Sequence, residues 1–520
     1  MHAVRVWACE FVAIAIVAGA VCAAGTASSA AADDDKSLDN PERAFRAILS
    51  EEEMREYTAL SEMRRDGWQQ RFWKLNDPDP TTARNERLEE HERRIAKARE
   101  LFAGGGPLKW DDRCEALVRY GEPLVRVEDG GEVHSRVGLD PPRERWLYQQ
   151  VFLYMEDRNL DGRFEFGISS QASNIAMIDH FGEEESFIRD QPNEVENPIL
   201  DFEGRPEVEE HFPDFSPQKL IKMLDKGREA WVKEPRAYAT DRTGREIPFY
   251  FDVSTFRAAD SASGSAEIVV NFLIPYEPLA RDERGVWVER RTVVFDEQQN
   301  TVGNAIEAIE QGPPEGEAST EWIVNSATLA VAPGKYQIAN RVVDLVSPGR
   351  EMGLSRTETD VPNYGSGEFA MSDVLFGSAI EAVADGSARG AGVVRRGLRI
   401  VPMPVRRFDR QIAPHIYFEV YNLTPNEAGR YKYQVDYTLT KREPRGFFAA
   451  VRGVFRGTLS SGVAVTFDRE VSAPESENWI EIDTRELPPD TYFIESRVRD
   501  MVSGREASRR ESFVIVGAAR

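Results

Sequence analysis

Reactive side chains are scarce in this sequence. Its 520 residues include three cysteines and six histidines. Cys9 and Cys22 lie in an N-terminal stretch that reads as a removable leader, so Cys114 stands alone and no intramolecular disulfide can form in an exported chain. The apolar setting of Cys114 suits a small buried hydrophobe rather than a nucleophile. No two of the histidines, at 2, 91, 134, 180, 211 and 415, stand at zinc-ligand spacing. The Gly-x-Ser-x-Gly elbow, the P-loop, the Gly-x-Gly-x-x-Gly fingerprint, Cys-x-x-Cys and His-Glu-x-x-His are all missing. This removes the motif-bearing hydrolases, nucleotide-binding enzymes, thiol oxidoreductases and zinc proteases. A grouping of His180 and His211 with Asp179, Glu209 and Glu210 is the remaining imidazole–carboxylate candidate.

Positive charge is also short. Lys and Arg number 65 against 89 Asp and Glu, a net charge of −24. Sequence-independent nucleic-acid binding needs a basic footprint, and an anionic membrane surface attracts basic segments, so neither suits this chain. A solvated acidic surface is the simpler reading. The one dense basic cluster comprises Arg395, Arg396, Arg399, Arg406, Arg407 and Arg410. It reads as exposed strand-edge arginines that deter edge pairing, or as a dock for an acidic partner.

The long apolar run, Phe11 to Ala24, is shorter than the roughly 20 residues of a membrane span. Arg5 precedes it, and small residues and Asp33–Asp35 follow, the order of a secretory signal cleaved between Ala23 and Ala32. Val21 before Cys22 disfavours a lipoprotein anchor. The expectation is an exported protein, periplasmic or secreted, with no transmembrane span in the mature chain.

The first mature residues read as helical. Ser50 and Glu53 make a capping box with Leu49 and Met54 as its staple, opening a helix from Glu51 to Arg65. Pro78 and Pro80 interrupt, and Thr81 or Thr82 caps a second helix to Phe102 with Leu88, His91, Ile95, Ala98 and Phe102 on one face. The pattern then changes. Arg113–Tyr120 reads as a strand closed by a turn at Gly121–Pro123. "RWLYQQVFLYME" and "RFEFGIS" read as two strands joined at "DRNLDG", and Ser216–Pro217 opens another helix.

From Arg228 onward, short strands bounded by turn residues dominate, and one passage recurs. "PGKYQIANRVVDLVSPGRE" begins at Pro333 and "PDTYFIESRVRDMVSGRE" at Pro489. Tyr336, Ile338 and Val342, like Tyr492, Ile494 and Val498, recur at period two. Each Tyr follows a Pro-containing turn, as in the tyrosine corner of Ig-like sandwiches. Asp344 and Asp500 precede matching turns and read as acceptors of backbone N–H groups, with Arg350 and Arg505 as further partners. Trp322–Ile323 and Trp479–Ile480 precede the two copies at nearly equal offsets. The fold class expected is multidomain α+β: a helical plus α+β module, then two tandem Ig-like or fibronectin-like β-sandwiches. The expected boundaries are a signal over 1–32, the module over 33–227, the first sandwich over 228–365, a linker with the first strand of the next over 366–410, and the second sandwich over 411–520. Within that linker, "ADGSARGAG" reads as flexible.

"DRNLDG" also places Asp157, Asn159 and Asp161 at positions one, three and five of a calcium loop, with Gly162 at six. Ile168 occupies the position of the bidentate Glu, and the flanks read as strands, so a tight turn is preferred to calcium; no other cofactor is indicated.

Phe72–Trp73, Asp77–Pro78, Asn85–Glu86, Arg94, Phe102, Asp112–Arg113 and Tyr120–Gly121–Pro123, with Glu144, Trp146 and Tyr148 downstream, resemble the GWxTD-domain proteins, exported bacterial proteins of unassigned function. "YFEVYNL", "PPDTY" and "RVRDMVSGRE" are similar to their β-rich C-terminal parts. The signature itself departs: Leu108 and Lys109 stand in the places of Gly and Trp, Trp110 comes one place late, and Asp111 replaces Thr. The resemblance implies envelope residence and an interaction module, with Arg113, Tyr120, Gly121, Pro123, Glu144, Trp146 and Tyr148 as binding positions and another envelope protein or a glycan as partner. A non-enzymatic binding or scaffolding role is the reading this supports. The alternatives are a hydrolase using an unrecognised carboxylate or histidine site in the N-terminal module, and a calcium-dependent adhesive or glycan-binding protein.

Overall fold

A computed structural model describes residues 41–103, 110–129, 141–148, 151–166, 245–258, 265–312, 322–383, 391–409, 412–441, 463–485 and 487–517, with short pieces at 133–134, 138–139, 222–223 and 226. The leader, His180, His211 and their neighbouring acids, most of "ADGSARGAG" and nearly all of the helix expected at Ser216 lie outside these residues. Contacts divide the chain into two compact units, residues 1–59 with 91–239 and residues 60–90 with 240–520.

The helices are α1 (Pro41–Arg46), α2 (Glu51–Ala59), α3 (Glu62–Leu75), α4 (Glu86–Phe102) and α5 (Asp112–Tyr120). The capping box holds: Ser50 N donates to Glu53 Oε2 at 2.8 Å and Glu53 N to Ser50 Oγ at 3.4 Å. The helix expected over Glu51–Arg65 is instead two, because Ser61 takes extended backbone (φ −66°, ψ 150°) and starts a new helix. The next helix starts later than expected. Asn85 caps it, its Oδ1 accepting Leu88 N at 2.9 Å, while the Thr81 hydroxyl turns to Asp79.

Arg113–Tyr120 is helix, not strand. Its contiguous apolar block is compatible with either period, and the cap decides: Asp111 Oδ1 accepts Arg113 N and Cys114 N at 3.0 and 3.3 Å. The helix ends at Gly121, whose φ of +79° favours glycine. The strands β1 (Val125–Asp129), β4 (Arg143–Leu147), β5 (Phe152–Glu156) and β6 (Glu165–Phe166) form an antiparallel sheet in that order, and β2 (Val133–His134) pairs β3 (Gly138–Leu139). "RWLYQQVFLYME" is therefore two strands rather than one, turned where Tyr148 N meets Val151 O at 2.8 Å. The hairpin across "DRNLDG" is present as β5–β6.

In the second unit, β7 (Tyr250–Arg257), β8 (Ala266–Pro275), β9 (Val286–Phe295), β10 (Thr301–Gln311), β11 (Trp322–Val331), β12 (Gly334–Asp344) and β13 (Met352–Val361) make two sheets, ordered β10-β9-β12-β13 and β11-β8-β7. They share one core of residues such as Ile268, Phe272, Ile323, Val294 and Ile338. There follow β14 (Ala370–Met371), β15 (Leu375–Ala382), β16 (Val393–Arg395), β17 (Leu398–Pro402), β18 (Arg407–Phe408), β19 (His415–Tyr421), β20 (Tyr431–Lys441), β21 (Val463–Val471), β22 (Ser476–Glu481), β23 (Asp490–Asp500) and β24 (Glu506–Ile515). Here β21-β20-β23-β24 repeats the order of β10-β9-β12-β13, and β22-β19-β15 repeats β11-β8-β7. A second shared core, with Phe376, Phe418, Val435 and Ile494, makes this another β-sandwich.

The repeated passage thus marks equivalent strands, β12 with β13 and β23 with β24. Tyr336 OH donates to Ala332 O at 2.7 Å and Tyr492 OH to Pro488 O at 2.8 Å. Asp344 accepts Val346 N, Ser347 N and Ala280 N; Asp500 accepts Val502 N, Ser503 N and Thr424 N. Both aspartates therefore tie the strand-end turn to the loop entering the partner strand.

The two sandwiches pack through the three-stranded sheet of the first and the six-stranded sheet of the second. Phe256 and Val269 of the first meet Leu375, Val393, Ile400 and Tyr417 of the second, all buried. Beside them Glu419, fully buried, accepts Arg395 Nε at 2.6 Å, Arg396 Nε at 2.9 Å, Tyr417 OH at 2.8 Å and Tyr421 OH at 3.0 Å. Arg395 continues to Glu267 of β8 at 2.6 Å and to the Arg257 carbonyl at 3.0 Å. This corrects the sequence reading of the basic cluster. Arg395 is buried rather than exposed, and together with Arg396 it supplies the counter-charge of a carboxylate locked between the sandwiches. Arg406 likewise pairs with Glu511. Burial pushes the Glu419 carboxyl upward, but the two guanidiniums prevail and hold it below its ordinary value.

Replacing Arg395 with Ala strands a buried carboxylate. Such losses cost about 3–5 kcal/mol, and the low end is expected because Arg396 remains. In calorimetry the wild-type sandwiches should unfold together and those of Arg395→Ala in separated steps; a single unshifted transition would remove the coupling.

Candidate functional site

The binding positions that the family resemblance implies, from Arg113 to Tyr148, belong to the first unit, and several converge on Glu144. This residue lies on β4, is 3% exposed, and has its two carboxylate oxygens filled by four donors. Arg113 Nη1 and Arg126 Nη2 reach Oε1 at 2.9 and 3.1 Å, while Arg126 Nε and Trp146 Nε1 reach Oε2 at 2.9 and 2.7 Å. Arg113 lies at the start of α5, where its Nε and Nη2 also grip Asp111 Oδ2 at 2.9 and 2.6 Å. Its guanidinium stands 4.7 Å from the Phe102 ring centroid and 3.8 Å from that of Phe164. Arg126 covers Phe102 and Trp146 at 5.1 and 5.5 Å, and these two rings stack at 6.2 Å.

Tyr120, Gly121 and Tyr148 form an adjoining group. The two tyrosine rings lie 5.8 Å apart and Tyr148 OH donates to Gly121 O at 2.9 Å. Arg94 on α4 caps the end of α5, donating to the carbonyls of Val118 and Arg119 at 3.2 and 2.9 Å. A Cβ on Gly121 would meet that guanidinium at 3.2 Å, so the glycine serves both the turn and the close approach. Pro123 follows in the turn into β1 and joins neither network.

Sequence reasoning missed Asp111 and Arg126. Asp111 caps α5, clamps Arg113 and accepts Phe164 N at 3.2 Å; its signal, an acid opening a helix, was hidden when the segment read as a strand. Arg126 had no local signal, since only the β1–β4 register, Arg126 opposite Trp146, carries it to Glu144. Beside them Asp112 Oδ2 accepts Phe166 N at 2.6 Å, and burial pushes that carboxyl up to about 6. Burial, followed by Asp111, pushes the Cys114 thiol up to about 12, which agrees with a packing role.

Chemically this is a desolvated ion cluster with its charges matched internally. Each Glu144 oxygen already holds two donors, leaving little capacity for a substrate proton or a metal.

At "DRNLDG", Asp157 is buried, and its Oδ1 and Oδ2 accept Asp161 N at 3.1 Å and Gly162 N at 2.9 Å. Asp161 Oδ1 takes Arg163 N at 3.1 Å. Asn159 is exposed in the same turn. Asp157 and Asp161 therefore organise the turn backbone. Among the described residues, no group of three or more His, Cys, Asp or Glu is placed to hold a metal, and no helix is long and apolar enough to cross a membrane.

No family model matches the chain, and no curated protein matches it.

Replacing Glu144 with Ala would leave two half-buried guanidiniums without their shared acceptor, and because Arg113 keeps Asp111 the loss expected in denaturant unfolding is at the low end of the about 3–5 kcal/mol of a broken buried pair; a change under about 1 kcal/mol would mean that the network is solvated. Asp157→Ala orphans two backbone donors and should cost about 1–3 kcal/mol. Calcium that raises the melting temperature of the wild type but not of Asp157→Ala would restore the calcium reading.

Proposed function

We propose that this chain is an exported, non-enzymatic protein of the bacterial cell envelope that binds or scaffolds another envelope component, related to the GWxTD-domain group and built on two Ig-like sandwiches. The observation that carries this reading is the locked junction: Glu419, Arg395, Arg396 and Glu267 join the two sandwiches across a buried apolar contact. A catalytic role gives no reason to hold two sandwiches in fixed relation, whereas presentation of a binding surface does. The internal neutralisation of Arg113 and Arg126 by Asp111 and Glu144 supports the same reading, because those residues then serve as the frame of the N-terminal module.

The partner is another envelope protein or a glycan. The test uses the mature chain against a cell-envelope extract, with Glu419→Ala as the loosened form and model ester, peptide and glycoside substrates run in parallel. The expected result is a retained component that the loosened form binds more weakly, with turnover at background. Equal retention by both forms would reject fixed presentation, and turnover above background would reject the non-enzymatic assignment.

A further inference from the structure

The first sandwich has a weakly guarded edge. β10 closes the sheet β10-β9-β12-β13 on one side, and among the described residues no other strand pairs with it. Its sequence, TVGNAIEAIEQ, holds no proline, lysine or arginine. Sheets guard such edges with charge, proline, bulges or a covering segment, because unpaired backbone groups invite another strand. The equivalent strand of the second sandwich, β21, carries Asp468, Arg469 and Glu470 in succession. At the opposite edge of the first sandwich, β13 carries Arg356, Glu358 and Asp360. β10 has instead a bulge at Val302, where the register with β9 shifts, and this leaves Gly303–Ile309 as regular ladder.

The side chains of that ladder divide by face. Ala305 and Ile309 pack toward the sandwich core. Glu307, on the same face, is answered by Arg290 Nη2 at 2.6 Å and Asn325 Nδ2 at 3.1 Å. On the outer face Asn304, Ile306 and Ala308 are exposed, Ile306 by 51%. Alternate residues of an edge strand turn their N–H and C=O groups away from the sheet. Among the described residues, the backbone of Gly303–Ile309 bonds to β9 and, at the Ala305 carbonyl, to Arg290 at 3.4 Å.

We propose that this edge binds the same strand of a second copy of the chain, antiparallel, about a two-fold axis at Ile306. Such an axis sets residues of one face against residues of the same face. Ile306 then meets its own copy, Asn304 meets Ala308 of the second copy, and Glu307 meets Ala305. No carboxylate opposes a carboxylate in this register, whereas like charges set directly opposite would destabilise it. Glu307 also arrives with Arg290 already beside it. This self-matching pattern is what singles out a second copy as the occupant, and the pairing joins two such four-stranded sheets into one continuous sheet. The net charge of −24 opposes association and the contact is small, so the dimer is weak, with micromolar dissociation. The inference does not depend on the envelope-binding role.

Sedimentation of the mature chain at physiological ionic strength, up to about 100 μM, tests this. The wild type should pass from monomer to dimer across that range. Ile306→Lys and Ile306→Glu each set like charges face to face on the axis, and each should weaken association at least about tenfold. Mixed in equal amounts, the two variants should dimerise again, because lysine then faces glutamate. The site is exposed, and unchanged thermal unfolding reports that both variants are folded. A wild type that stays monomeric overturns the proposal, even where the edge takes a strand from an unrelated protein. So does a dimer that either variant leaves intact, or a mixture that associates no better than its components.

Discussion

Glu419 is the constraint on which the β-rich unit depends. Taking a carboxylate wholly out of water costs several kcal/mol, and the cost is met only by close counter-charges and full hydrogen bonding. Here two guanidiniums and two phenols supply both. Because Arg395 also reaches Glu267 and the Arg257 carbonyl in the first sandwich, the second cannot turn away without stranding a buried charge. The adjoining contact of Phe256 and Val269 with Tyr417 and Leu375 is non-directional and would tolerate sliding; the ion cluster gives it a register.

The first unit applies the same physics on a smaller scale. Glu144 is buried among Arg113, Arg126 and Trp146, with Phe102 and Phe164 against the guanidinium faces. The aromatic rings exclude water and strengthen the ion contacts, while the ion contacts fix which rings the arginines cover. Duplication left a different trace. Tyr336 and Tyr492, Asp344 and Asp500 kept their bonds in both sandwiches because each ties a strand end to a neighbouring turn. Ala339 and Val343 are buried in the first copy, where the corresponding Glu495 and Arg499 of the second are charged.

Much of this was legible from local pattern. Period-two alternation located β12 and β23, the capping box located the start of α2, and a turn was readable at "DRNLDG" because these features act over a few residues. Arg113–Tyr120 misread because a short apolar block fits helix and strand alike, and the deciding group, Asp111, lies just outside it. The candidate site was half legible: Arg113, Glu144 and Trp146 do meet, but Arg126 joins them only through a strand register that no local pattern encodes.

The sequence by itself determined the β-rich character, the repeated passage with its corner tyrosines and turn-capping aspartates, and the poverty of familiar reactive motifs, since all of these are properties of composition or near-neighbour spacing. Tertiary structure alone decided that Arg395 is buried with Arg396 beside it on the same carboxylate, and that the three-stranded sheet of the first sandwich meets the six-stranded sheet of the second. The physical reason is that the worth of a charge is set by its distance from water and from its counter-charge, and both are fixed by segments far apart along the chain.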